Sequence, residues 1–219
     1  MLPFDTKPAL DINKARLDHL ASLGLELDNK SVLETAPGVG HLTDFWIKRR
    51  CSVLGLELNH ENVAENKRRH PDYIVKTCDI IRENWPWSYD IGFCYGTLYH
   101  VSDPERLIHK LSLHCNLALI ETLVHPTDDG RLHEFGHFAG QDQGDEGKAY
   151  VPARDWVLTE LRKHFEYAYI TATQPANEQF PLNWPSTNGI CRAVFVASRN
   201  RLDLPTLTTD LPMTQEALC

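Results

Sequence analysis

Long apolar runs, paired cysteines and a basic surface stripe are all missing from this chain of 219 residues. No apolar run approaches the roughly 20 residues that a membrane-spanning helix needs. The opening MLPFDTKPAL has neither a basic start nor an apolar stretch, so it does not read as a signal peptide and a cytoplasmic protein is expected. Six cysteines, Cys51, Cys78, Cys94, Cys115, Cys191 and Cys219, form no C-x-x-C pair. Five fall in or beside apolar runs and read as core thiols. The formal charge is −8, and the dense basic clusters are Lys48-Arg49-Arg50 and Lys67-Arg68-Arg69. Both sit at the ends of expected helices, where cations complement the macrodipole. A nucleic-acid partner is therefore disfavoured, since such binders display a basic patch.

What the sequence has is alternation. Hydrophobic residues make up 42% of it, enough for the core of one domain. Short apolar runs at 31–35, 51–58, 73–78, 89–95 and 116–124 read as strands, with two more at 167–173 and 190–198. Helical patterns fall between them at 41–50, 59–70, 104–114 and 151–165, and one precedes them at 10–23. Asp11 is the expected cap of that first helix, Asn59 of the helix at 59–70, and Pro104 opens another. Strand and helix in alternation argue for a parallel sheet.

The organising stretch is Ser31 to Leu58, a strand, a turn at Ala36-Pro37-Gly38-Val39-Gly40, a helix, and a second strand ending on Glu57. Glycines let a backbone approach a ligand closely, and the helix behind them offers unpaired N–H groups. A carboxylate at the tip of the next strand can accept both hydroxyls of a ribose. The dinucleotide pattern G-x-G-x-x-G fails here, because Thr43 stands at the third glycine. Glu34-Thr35-Ala36-Pro37-Gly38-Val39-Gly40 instead resembles motif I of the class I S-adenosylmethionine-dependent methyltransferases, with Ala36 in place of the first glycine. The segment YDIGFCYGTLYHVSDP, from Tyr89 to Pro104, resembles the post-strand segment of the same family.

The resemblance implies an open seven-stranded, mostly parallel sheet of order 3-2-1-4-5-7-6, its last strand antiparallel, with helices on both faces. It implies S-adenosyl-L-methionine as cofactor. Glu34 would anchor the turn and face the methionine amine, while Ala36, Pro37, Gly38 and Gly40 cradle the ligand. Glu57 would bind the ribose, with Leu58 beside it also at the cofactor, Asp79 would meet the adenine amino group, and Ile80 with Ile81 the adenine faces. Tyr95 and Gly96 would line the methyl-transfer site, with Tyr99 and His100 as candidate catalytic residues and His100 as candidate base. The acceptor side would draw on Glu121, on His125, His133 and His137 of a polar stretch, and on Trp184 of a second long loop.

These readings place one domain over 1–198, with an N-terminal arm and helix (1–29), a lid (125–150) and a C-terminal tail (199–219). His133 and His137 stand four apart, as a helical metal pair would, but Gly130, Gly136 and Gly140 speak against a helix, and no metal is expected. The acceptor is expected to be a small molecule, with a tRNA base or sugar as alternatives. A dinucleotide oxidoreductase and a non-catalytic cofactor-binding relative remain rival readings, and a homodimer is open.

Overall fold

The computed structural model describes residues 3–135 and 149–218. After helix α1 (Lys7–Ser22) come strand β1 (Ser31–Thr35), α2 (Thr43–Lys48), β2 (Ser52–Glu57), α3 (His60–Arg69) and β3 (Ile74–Thr77). Strand β4 (Tyr89–Tyr95), α4 (Pro104–His114) and β5 (Cys115–Leu123) complete the alternating part. A hairpin of β6 (Leu132–Phe135) and β7 (Ala149–Pro152) precedes α5 (Arg154–His164) and β8 (Tyr167–Thr171). The chain ends with β9 (Thr173–Gln174), β10 (Arg192–Ser198), β11 (Leu207–Thr208) and β12 (Glu216–Ala217).

The main sheet runs β3-β2-β1-β4-β5-β10-β8-β11. Strands β1 to β5 pair in parallel, and β10 lies antiparallel between β5 and β8. This is the expected order, with β10 as seventh and β8 as sixth strand, plus one strand more. The addition is β11, which pairs antiparallel with β8 and belongs to the C-terminal tail, 199–219. Thr206 also donates to the Leu23 carbonyl at 2.6 Å, and Gln215 to the Thr171 carbonyl at 2.6 Å. The tail is thus stitched to the sheet.

Both faces of the sheet are covered, which is why its strands are apolar without alternation. One core joins Leu33, Leu54, Ile120 and Phe195 to Leu107 and Leu111 of α4 and Val157 and Leu161 of α5. The other joins Val32, Phe93, Leu119 and Val194 to Leu20 of α1 and Trp46 of α2, whose indole meets the Phe93 ring edge-on at 5.0 Å. Caps fix where helices begin. Asn59 accepts from the N–H groups of Glu61 and Asn62 at 2.8 and 3.2 Å, and Asp103 accepts from that of Arg106 at 2.9 Å.

Two local expectations change. Helix α1 starts at Lys7, so Asp11 lies inside it and pairs with Lys7 at 2.5 Å instead of capping. Helix α5 starts at Arg154, because Val151 and Pro152 are drawn into β7 by pairing with His133 and Leu132. His133 therefore sits on a strand, and residues 136–148, with His137, lie outside the described residues. Among the described residues, no helix is long and apolar enough to cross a membrane.

Candidate active site

The carboxyl ends of β1, β2, β3 and β4 converge on the turn after β1. Ala36, Gly38 and Gly40 all have positive φ, at 48°, 56° and 90°. Gly40 is glycine for packing, since a Cβ there would lie 2.7 Å from the His70 ring. Gly38 faces open space roofed by Phe4, whose ring lies 3.6 Å from where a Cβ would stand. The roof is pinned through its neighbour: Asp5 takes a two-pronged ion pair from Arg69, at 2.9 and 2.9 Å, and contacts His41 at 2.8 Å.

Glu57 braces the turn. One carboxylate oxygen accepts from the Gly38 N–H at 2.9 Å; the other accepts from the Asn59 N–H at 2.9 Å and the Asn62 amide at 3.4 Å. Asp79 accepts from the N–H groups of Ile81 and Arg82, both at 2.9 Å, and from the Arg82 guanidinium at 3.0 Å. Burial works to raise its pKa, but these donors outweigh it and the carboxyl lies below its usual range. Glu57, Leu58, Asn62, Asp79, Ile80 and Ile81 line one side of a chamber, with Phe4, Ala36, Gly38, Gly96 and His100 on the other.

A second chamber opens from the first and shares Phe4, Ala36, Gly38, Gly96 and His100 with it. Its further lining includes Arg16 of α1, Pro37, Tyr95 and Tyr99 from the loop edge, Gln179, and Arg192 at the start of β10. Beneath it lies Glu121, fully buried on β5 and paired in register with Tyr95. Arg16 holds one of its oxygens at 2.8 Å and Arg192 the other at 3.0 Å. Burial alone would keep Glu121 neutral, but the two guanidinium groups overcome it and lower its pKa. Arg192 also donates to Gln179 at 2.8 Å and to the Tyr99 hydroxyl at 3.3 Å. The buried Tyr95 hydroxyl and Arg16 Nε find no hydrogen-bond partner among the described residues. His100 is held neutral: burial first, then the Arg192 charge, push its pKa down to about 4.

Residues 33–113 match the family model described as a methyltransferase domain. The N-terminal domain of EvdMO1, solved with SAH and D-fucose, has 17% identity and a TM-score of 0.67 over 89% of this chain and 84% of that one. An S-adenosylmethionine-dependent methyltransferase from Mesorhizobium loti has 15% identity and a TM-score of 0.63 over 84% and 98%. The fold is that of the class I methyltransferases. Among curated relatives, the ubiquinone biosynthesis O-methyltransferase of Klebsiella pneumoniae (strain 342) is 29% identical over 109 residues, 47% of this chain and 45% of the relative. The chain thus matches less than half the length of that relative.

Within this methyltransferase fold, Ala36, Pro37, Gly38, Glu57, Leu58, Asp79, Ile80, Tyr95, Gly96, Tyr99 and His100 all line the two chambers. Glu34 and Gly40 line neither. Glu34 lies beneath the turn, accepts from the hydroxyls of Thr43 at 2.8 Å and Tyr73 at 3.2 Å, and has its pKa raised by burial to about 7. It ties the end of β1 to helix α2. Glu121 acts from below, through its arginines. Trp184 is buried under the Arg154 guanidinium, 3.8 Å from the ring centroid, and does not reach the mouth of the site. His125 and His133 stack at 3.9 Å on the hairpin, with His133 on Asp129 at 3.0 Å, and they line neither chamber.

Phe4, Asn62, Gln179, Arg16 and Arg192 line the chambers without belonging to any motif. The two arginines had a signal of a kind. Arg16 falls on the face of α1 that also carries Ile12, Leu20 and Leu23, and Arg192 interrupts the apolar run ICRAVFVAS. A charge on a buried face needs a partner or a purpose.

Proposed function

We propose that this protein binds S-adenosyl-L-methionine in the first chamber and transfers its methyl group to a small molecule in the second. The observation that carries this reading is the pair of joined chambers, acid-lined on one side and arginine-lined on the other, beneath the single roof of Phe4. When bound, the cofactor supplies a methyl group on a sulfonium, already activated towards a nucleophile. Glu57 has lone pairs left after its backbone bonds and would accept the ribose hydroxyls. Asp79 would accept from the adenine amino group, between the apolar side chains of Ile80, Ile81 and Leu58. Arg16, close to Gly96 where the chambers meet, would hold the methionine carboxylate. Phe4 closes the site over the turn and excludes water.

The acceptor would lie among Tyr99, His100 and Arg192. His100 stays neutral at physiological pH but is a weak base, so the work falls mainly on positioning. A small acceptor suits a chain whose formal charge is −8. The described cysteines are free thiols, as suits the reducing cytoplasm. Calorimetric titration with S-adenosylmethionine, S-adenosylhomocysteine and NAD tests the reading. The two sulfur compounds are expected to bind, and binding of NAD alone would overturn it.

A further inference from the structure

We infer that the acceptor is a small carboxylic acid, held as its carboxylate by Arg192 with Gln179 and Tyr99 in the second chamber. This rests on the methyl-transfer reading and specifies its substrate class. The titratable groups lining that chamber are Arg16, His41, Tyr95, Tyr99, His100 and Arg192, with no Asp or Glu among its described lining residues. Asp5, the acid nearest His41, is already committed to Arg69. Glu121, below, is one negative charge shared between two guanidinium groups. Without cofactor one positive charge is therefore in excess in a largely desolvated place; the methionine carboxylate would take Arg16, which leaves Arg192 to share Glu121 and to offer its unused donors to the acceptor.

The two arginines divide by position. Arg16 reaches over Gly96, at the junction with the cofactor chamber, 3.6 Å from where a Cβ would stand. Arg192 sits on β10 and is oriented by Gln179, on the acceptor side. A guanidinium has five N–H donors, and three of those on Arg192 are engaged, by Gln179, Glu121 and the Tyr99 hydroxyl. One N–H is left on each terminal nitrogen, and a guanidinium matches a carboxylate with paired donors of this kind. The Tyr95 hydroxyl adds another buried donor lacking an acceptor among the described residues. An amine acceptor would bring like charge to a chamber without an acid. A neutral alcohol offers one oxygen where a carboxylate offers two.

Matched sets that differ in one group, benzoate with benzamide and benzylamine, and hexanoate with hexanamide and hexylamine, make the test. Binding is followed by ligand-observed NMR on the protein saturated with S-adenosylhomocysteine. The carboxylates are expected to bind at least about tenfold more tightly than their amides and amines. Arg192→Gln should erase that preference while S-adenosylhomocysteine affinity stays within about twofold. Arg192→Lys keeps the charge beside Glu121, so it tests the fork in a folded protein, and should weaken the carboxylates by at least about fivefold. Circular dichroism checks both variants. Equal or tighter binding by amides or amines, no carboxylate binding, or a preference that survives in both variants overturns the proposal. So does an equal loss of S-adenosylhomocysteine affinity in Arg192→Gln. Failure of the wild type to bind S-adenosylhomocysteine in the prior titration would instead sink the methyl-transfer reading.

Discussion

The two chambers share a roof and a wall but are built from opposite materials. In the first, Glu57 and Asp79 are held by backbone N–H groups of Gly38, Asn59, Ile81 and Arg82. In the second, two guanidinium groups lean on the single carboxylate of Glu121. The first presents acceptors to its ligand and the second presents donors. They also differ in robustness. Backbone donors survive most substitutions around them, whereas a side-chain triad fails when one member goes.

The largest expected effect breaks the triad. Glu121→Gln leaves Arg16 and Arg192 without a counter-charge, and should cost about 3–5 kcal/mol of stability in denaturant unfolding. A loss under about 1 kcal/mol would show that the arginines are solvated enough to stand alone. Glu57→Ala attacks the other chamber. It leaves the Gly38 and Asn59 N–H groups unpaired, for about 1–3 kcal/mol, and should weaken S-adenosylhomocysteine binding at least about tenfold by calorimetry. Unchanged affinity would remove Glu57 from the cofactor site.

A third effect is read against pH. Burial raises Glu34 to about 7 from an ordinary value of 4.5. Its contribution to stability is then full below about 4.5 and is lost as pH rises towards 7. His19 and His100, both pushed down by burial to about 4, work the other way. Their contribution is full above about 6.5 and is lost as pH falls through 4. Stability of Glu34→Gln relative to wild type should therefore climb between pH 5 and 7.5; a flat difference would mean that Glu34 titrates normally. The smallest effect is at Ala36, whose φ of 48° glycine adopts more readily. Ala36→Gly should stabilise the protein by about 0.5–1 kcal/mol, the relief of strain exceeding the entropy that glycine adds to the unfolded chain. Destabilisation would mean that the alanine methyl packs usefully.

The first chamber was largely legible in the sequence because its parts are consecutive. Glycine turn, strand-tip acid and the acid after β3 lie between residues 36 and 79 and follow one βα rhythm. The second was legible only along its loop edge, at Tyr95, Tyr99 and His100; its arginines were not, because Arg16 and Arg192 come from opposite ends of the chain and meet only through the sheet order that lays β10 beside β5. Glu34 lies beneath the turn and lines neither chamber. Its spacing from the glycines was as expected, but spacing does not say on which side of the turn a side chain lies. Trp184 shows the same limit, since a large aromatic in a loop can as well be core as rim. The eighth strand left no periodic trace at all, being two residues long.

That short strand bears on how copies of this protein meet one another. An open sheet ends in two rows of unsatisfied backbone groups, each a template on which another chain can grow. On one side the template is β3, four residues with Ile74 61% exposed and Lys76 beside it. On the other it would be β8, whose five residues include the fully buried Ile170 and Thr171. The tail lies along that edge and leaves only Leu207 and Thr208 as its outermost paired residues. A strand added on that side would meet a two-residue edge in place of the more apolar five residues of β8.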